Sequence, residues 1–394
     1  MTRSPKFLYV GTYERDYPRN QQLIRLLRSG GADLTEIHEP FWEHFRDKST
    51  GFGGFAATIM LAIQLAVIYL KLALRVGVRL RSADAVVIGY IGQLDMLILG
   101  GLARLSGTPV LFNPLVTLTD AIVEDRALVR ERSFAGRLVW LVDWISLRMA
   151  SMTLADTEEN AVYMAERFGV SRSRIRVLYV GADERVFHHR PSPGSRDGLL
   201  HILFYGKMIP LHGVDTILSA LKILHENGDT GISFEIIGSG QQVNLIERFT
   251  QSSPDAPLVH RPWVAYSRLP GRIGSADCVL GIFGAGEKAN RVIPNKVFQA
   301  MAIGVPIVTR DSHAVRNVLV HEESALMVNP GDPSSLADSL LRLSDPEFRS
   351  RLSAGARTAF EKYGSDRALA PVVDEIMCSL VSCDEDRDDS RRRV

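Results

Sequence analysis

Cysteine is scarce in this sequence. Cys278, Cys378 and Cys383 are the only three in 394 residues. None stands at a disulfide or metal-ligand spacing from another, which argues against a stapled domain or a zinc module and points to a reducing compartment. Charge of one sign is lacking as well. The formal net charge is +1, so the broad basic footprint of a nucleic-acid binder is absent. No internal repeat is visible. The N-terminus reads MTRSPKFLYVGTY, where a strand starting by Lys6 leaves no room for a secretory signal. Only one apolar run approaches the length of a membrane span, FAATIMLAIQLAVIYLKLAL from Phe55 to Leu74. At about 100° per residue, Gln64, Lys71, Arg75 and Arg79 fall within an arc of roughly 80°. A narrow polar stripe on an apolar helix suits, in order, a buried helix with one wet edge, a helix lying in a bilayer surface, and a true span.

What is present is alternation. With 46% hydrophobic residues, the chain has enough apolar mass for two cores, and its length suits two domains. Strand-length apolar runs such as FLYVGTY (7–13), ADAVVIGY (83–90) and IRVLYVGAD (175–183) are separated by helical patterns. Thr157 and Gly169 read as the start and stop of one helix, and Asp332 as the cap of another. HHRPSPGSRDG, rich in Pro, Gly and Ser, reads as a linker. After it the alternation restarts with HILFYG and GVDTILSALKILHENG. Short connections between alternating strands and helices mean doubly wound α/β. The expected architecture is two Rossmann-like domains facing across a cleft. The boundaries are 1–188 for the first domain, 189–200 for the linker and 201–365 for the second domain. Residues 366–382 are expected to return as a helix to the first domain, and 383–394 to form a disordered tail rich in alternating charge.

Open α/β sheets bind ligands at the carboxyl ends of their strands, so three loops of the second half carry the chemistry. In YGKMIPLHG (205–213), Lys207 follows a strand and His212-Gly213 opens a helix, a pattern that suits an anion; a solvated loop lysine is the competing reading. In IIGSGQQ (236–242), Gly238 and Gly240 lack the third glycine of a dinucleotide fingerprint because Val243 stands there. That weakens the case for an oxidoreductase. In GEKANRVIPNKVFQAMAIGVPIVT (286–309), Lys288, Arg291 and Lys296 cluster at a helix entrance. The helix would bury Val297, Phe298, Met301 and Ala302, and keep Asn295 and Gln299 on a wet face with Lys296 beside them.

These loops, with LMVNPGDPSSLADSLLRL and LADTEENAVYMAERFGVSRSRIRVLYVGADERVFHH, occur in an order and spacing that resemble the retaining glycosyltransferases of family 4, in the GT-B arrangement. The resemblance covers most of the chain. It implies a hexosyltransferase-type enzyme that moves a sugar from a nucleotide-diphosphate donor to a glycan or lipid-linked acceptor, as in cell-surface polysaccharide synthesis. The donor would lie on the second domain and the acceptor would enter from the first. Lys207 and His212 stand where the family carries an Arg and a Lys on the diphosphate. Arg291 and Gln299 stand where it carries paired glutamates, with Glu287 nearby but off register. Gln299 retains an amide oxygen for the donor ribose.

The resemblance further implies that Gly11 lets the backbone approach the donor and that Arg291, Asn295, Lys296 and Gly238 border it. Lys207 and Lys296 would stabilise the departing diphosphate. Asp120 takes the place of a family histidine near the transferred sugar, although it could equally cap a helix. Asp125-Arg126 reads as a surface ion pair. No metal or cofactor is required, since the cations replace a metal, and no nucleic acid is expected. The protein is expected in the cytoplasm, with contact to the inner face of the cytoplasmic membrane through the long apolar helix. The competing reading is an inactive, nucleotide-binding relative that serves as a scaffold or regulatory subunit.

Overall fold

A computed structural model of the protein describes residues 3–44, 55–126, 128–189, 198–229 and 231–392, with side chains described except at 44, 55–58 and 382–392. The linker expected at 189–200 falls largely outside the described residues, as do positions 393–394. Among the described residues, twelve strands form two parallel sheets. The first contains β1 (Lys6–Gly11), β2 (Asp33–His38), β3 (Ala85–Ile88), β4 (Val110–Leu115), β5 (Met152–Ala155) and β6 (Ile175–Val177), in the order β2-β1-β3-β4-β5-β6. The second contains β7 (Leu200–Tyr205), β8 (Ile232–Ile237), β9 (Leu258–Arg261), β10 (Cys278–Leu280), β11 (Ile307–Arg310) and β12 (Leu326–Val328), in the order β12-β11-β10-β7-β8-β9. Both are doubly wound, as the alternation requires. The strand order reverses between β1 and β3 in the first sheet and between β7 and β10 in the second, and each reversal opens a crevice at the carboxyl ends of the strands.

Helices on both faces explain why the central strands read as unbroken apolar runs. β3, β4, β10 and β11 are buried throughout. The caps fall where the sequence puts them. Thr157 accepts a hydrogen bond from the Asn160 amide, Gly169 closes that helix with φ 61°, and Asp332 accepts from the Ser335 amide. The helix Asp366–Arg392 runs back across the domain boundary. Its Leu369, Val373, Ile376 and Leu380 join Phe7, Tyr9 and Leu23 in the first domain's core. Its first residue, Asp366, accepts two 2.7 Å hydrogen bonds from Arg25. That helix is described to Arg392, with side chains described to Val381. Nothing in DEDRDDSRRR is a Gly or Pro that would halt a helix once it has started.

A correction concerns the long apolar helix, Phe55–Leu80. The leading expectation was a buried core helix. Only one face is buried: Tyr69, Leu72, Val76 and Leu80 pack on the first sheet, and the Tyr69 hydroxyl donates to Asp95 Oδ1 at 3.0 Å. The opposite face is apolar and exposed, and just 17% of the helix's most apolar window is buried. Composition called for burial because both faces are apolar, but a helix on the outside of a three-layer domain has only one sheet to cover.

Candidate active site

The crevice of the second domain is built from the ends of β7, β8 and β10. β7 ends in Gly206, whose φ of 143° is open only to glycine. A Cβ there would come within 3.0 Å of His212 Cε1 and 3.2 Å of Lys296 Nζ, so the loop backbone lies directly against both side chains. Gly238, with φ 141°, ends β8, and its Cβ would sit 1.9 Å from the Gly206 carbonyl oxygen. The glycines after β7 and β8 thus let two loops touch. Hydrogen bonds then lace them: the Met208 amide to Ser239 at 3.0 Å, the Gln242 amide to Met208 at 2.8 Å, and the Phe283 amide to His212 at 3.1 Å.

Lys296 reaches this crevice from the first turn of the helix Asn295–Ile303. It is 4% exposed. Its Nζ sits 3.8 Å above the Phe204 ring and has no hydrogen-bond partner among the described residues. Burial pushes its pKa well below the ordinary lysine value. His212 is also buried, edge-on to Phe204 at 5.7 Å, with Nδ1 unpartnered. Burial holds its pKa well down, and the positive charges of Lys296, Lys207 and Lys288 push the same way. The crevice therefore holds an imidazole whose burial favours the neutral form and a lysine amine without a hydrogen-bond partner among the described residues, beneath a glycine backbone. Lys207 is exposed beside them. A buried polar group without a partner is costly, and an anion entering here would remove that cost.

Arg291 does not join them, contrary to expectation. Its Nη2 donates to Asp120 Oδ1 at 2.8 Å and to Glu124 Oε2 at 3.2 Å, and its guanidinium stacks over Tyr163 at 4.0 Å. Lys288 Nζ sits 3.1 Å from Asp120 Oδ2 and 3.5 Å from Asp125 Oδ2. Asp120, expected near the transferred sugar, is thus engaged by two cations of the other domain. Asp125, expected to pair with Arg126 at the surface, faces Lys288. The five groups form a latch across the cleft, tightened by a 2.5 Å bond from the Thr157 hydroxyl to the Arg291 carbonyl. The physical reason is charge: three carboxylates of the first domain face the entrance of the basic helix, and opposite charges this close prefer each other to solvent. Asp120 is not a helix cap either. Asp143 takes that role for the segment, accepting from the Leu118 and Thr119 amides at 3.0 and 2.7 Å.

At Gly11 the space a side chain would take is filled by Asp95. A Cβ there would fall 2.3 Å from Asp95 Oδ2, and that carboxylate is tied to the Thr12 amide at 2.9 Å. Gln299 is buried with the rest of its helix, so the wet face expected for 295–299 is covered; its Oε1 accepts from the Tyr205 hydroxyl at 2.9 Å. Glu287 is exposed and lines a separate cavity of about 250 Å³ with Arg310, Asp311 and His313. Asn295 is half-buried at the start of the helix. The residue that sequence reasoning missed is Phe204, a buried strand position whose ring holds Lys296. Its only sequence signal was its place one residue before the end of β7.

Residues 200–345 match the model of the family described as glycosyl transferases group 1. Over 236 residues the chain is 29% identical to a D-inositol 3-phosphate glycosyltransferase of Xylanimonas cellulosilytica, covering 56% of this chain and 55% of that protein. The second half of the chain is thus similar to group 1 glycosyltransferases, and the whole chain has the GT-B fold. It spans about half the length of the curated relatives it matches. A second relative, the amylovoran biosynthesis glycosyltransferase AmsK of Erwinia amylovora, is 24% identical over 218 residues, which are 53% of this chain and 52% of that protein. Among solved structures, the Anabaena HepE protein in complex with UDP and glucose superimposes with a TM-score of 0.69 at 13% identity, covering 95% of this chain and all of that one. The sucrose-phosphate synthase of Thermosynechococcus elongatus gives 0.69 at 13% identity over 96% of this chain and 99% of that one. At these identities the structural likeness speaks for the fold.

Proposed function

We propose that this chain is a family 4 glycosyltransferase that transfers a sugar from a nucleotide-diphosphate donor to a glycan or lipid-linked acceptor, with retention at the anomeric carbon, as a cytoplasmic step of cell-surface polysaccharide synthesis. The observation that carries the reading is Lys296, whose buried amine has no hydrogen-bond partner among the described residues at the switch point of the second sheet. The diphosphate would enter over Gly206, with Lys296 beneath it, Lys207 at the rim and His212 donating from its imidazole. As the bond from the anomeric carbon to the phosphate oxygen breaks, negative charge grows on that oxygen, and a fixed cation in a dry pocket stabilises it more than water does. The acceptor hydroxyl attacks from the same face and gives its proton to the departing phosphate, while its oxygen bonds to the anomeric carbon. No metal is required in this scheme because Lys296 and Lys207 supply the positive charge. The UDP bound by HepE makes UDP the first donor nucleotide to test.

The test is a donor screen by nucleotide release, with membrane extract as acceptor source. Turnover with one nucleotide sugar, abolished in Lys296→Met, is expected; a folded protein that binds no nucleotide and transfers no sugar overturns the proposal.

One observation favours a second reading. The two positions that carry the family's glutamates are engaged elsewhere, Arg291 in the latch and Gln299 with Tyr205. A nucleotide-binding relative without turnover would show binding of UDP or GDP but no transfer with any donor.

A further inference from the structure

The long helix Phe55–Leu80 carries a second apolar face that its own domain leaves bare. Met60, Ile63, Val67, Leu70, Leu74 and Val78 are each 60% exposed or more. At about 100° per residue they fall within an arc of roughly 80°, on the side away from the buried Tyr69, Leu72 and Val76. Beside the helix's last turns lies the short helix Gly101–Leu105, close enough that a Cβ at Gly77 would be 3.9 Å from Leu102. The final residue of that short helix, Leu105, is 90% exposed. Isolated exposed leucines are unremarkable; a continuous ridge of this kind marks an interaction surface.

Around this end of the domain arginines outnumber acids, and Asp84, just before β3, is paired with Arg3 at 3.9 Å. Arg79 and Arg81 precede β3, Arg104 precedes β4, Arg148 precedes β5 and Arg174 precedes β6. Because β3, β4, β5 and β6 are neighbours in one parallel sheet, the five arginines line the sheet edge opposite the cleft. None has a carboxylate within ion-pair distance among the described residues. Arg104, Arg148 and Arg174 are close enough that, after burial, the first two are what depress the pKa of the third. Their hydrogen bonds go to main-chain carbonyls instead: Arg104 to Met149, Arg148 to Gly169, Arg174 to Arg148.

We infer that this ridge and the adjoining arginine edge dock the protein onto an anionic phospholipid surface, with the long helix lying in the interface rather than across it. The apolar side chains would enter the boundary between headgroups and acyl chains while the arginines meet lipid phosphates. Crossing the bilayer is disfavoured because the helix would have to leave the sheet and break the Tyr69–Asp95 bond. A second copy of the chain is a poorer occupant: FAATIMLAIQLAVIYLKLALRVGVRL contains no acid, so a facing helix would give the arginines nothing to pair with. The inference rests on the proposed function only for the choice of the cytoplasmic leaflet.

Sedimentation with vesicles tests it, using phosphatidylcholine with and without phosphatidylglycerol. The protein should bind the anionic vesicles and be released by alkaline carbonate. Leu74→Gln with Val78→Gln should weaken binding by at least tenfold. Arg81→Gln with Arg104→Gln should cost about fivefold per arginine and remove the preference for phosphatidylglycerol. All four positions are exposed, so circular dichroism and UDP affinity should match the parent, which separates loss of docking from loss of the donor site. Failure of the parent to bind anionic vesicles would overturn the inference, as would resistance to carbonate. So would a dimer in light scattering that Leu74→Gln with Val78→Gln dissolves.

Discussion

Replacing Lys296 with methionine should make the free protein more stable and the donor site useless. In the free protein the ammonium is buried, unpartnered and held with its pKa well below 10.5. The sign follows from linkage. Between the folded and unfolded pKa values the unfolded chain binds the extra proton, so stability rises with pH across that window and is lowest where both forms are charged. Methionine fills a similar volume and removes the stranded charge. Leaving a buried donor unsatisfied costs about 1–3 kcal/mol; the cation–π contact with Phe204 offsets up to about 2 of that. A net gain of about 1 kcal/mol is expected, or roughly 2–4 °C in the melting temperature of a domain this size. Loss of one charge-stabilising donor should in turn cost about 3 kcal/mol, a factor of 10² to 10³ in kcat. Calorimetric titration with UDP and thermal melts of both proteins, with and without nucleotide, give both halves. The reasoning is refuted if the variant binds UDP within threefold of the parent, or if it melts lower in the absence of nucleotide.

Three other outcomes are expected. Breaking the cross-cleft latch by Arg291→Ala or Asp120→Asn should each destabilise by about 3–5 kcal/mol, since each leaves buried charge without its partner. A double-mutant cycle in urea should return a coupling of about 0.5–3 kcal/mol, and small-angle scattering should show a larger radius of gyration as the domains part. Gly238→Ala would place a Cβ 1.9 Å from the Gly206 carbonyl in a backbone conformation alanine disfavours. Nucleotide affinity should fall with little change in circular dichroism, because the loop above Lys296 is displaced. Asp95, buried against Gly11, has its pKa raised to about 6 from 3.8 by burial, against the lowering effect of its bonds from Thr12 and Tyr69. A raised carboxylate pKa means the folded form holds the proton longer, so this group's contribution falls as pH rises from about 4 to 6. The stability of the parent relative to Asp95→Asn should therefore drop by up to about 3 kcal/mol over that window. A flat difference would show the carboxylate to be ionised throughout.

The architecture was legible because it is written in local periodicity: buried parallel strands as apolar runs, helices with caps at Thr157 and Asp332, and a glycine stop at 169. The convergence of Lys296 and His212 on Gly206 was legible because strand–loop–helix junctions point amides and charges to one place. What escaped depends on partners far away in the chain. Arg291 looks like a phosphate ligand until Asp120, 171 residues earlier, takes its guanidinium. The packing of Asp95, 84 residues away, against the missing side chain of Gly11 is equally invisible in the sequence. The outer face of the long helix escaped for a different reason. Hydrophobic composition shows that a surface avoids water, not whether protein or lipid covers it.

The account depends most on the diphosphate meeting Lys296. A crystal structure with whichever of UDP or GDP binds tests this directly. Lys296 Nζ is predicted to lie within about 3.2 Å of a phosphate oxygen, with that oxygen seated over the Gly206 backbone. A nucleotide bound with its phosphates elsewhere, and Lys296 still without a partner over Phe204, would contradict the account.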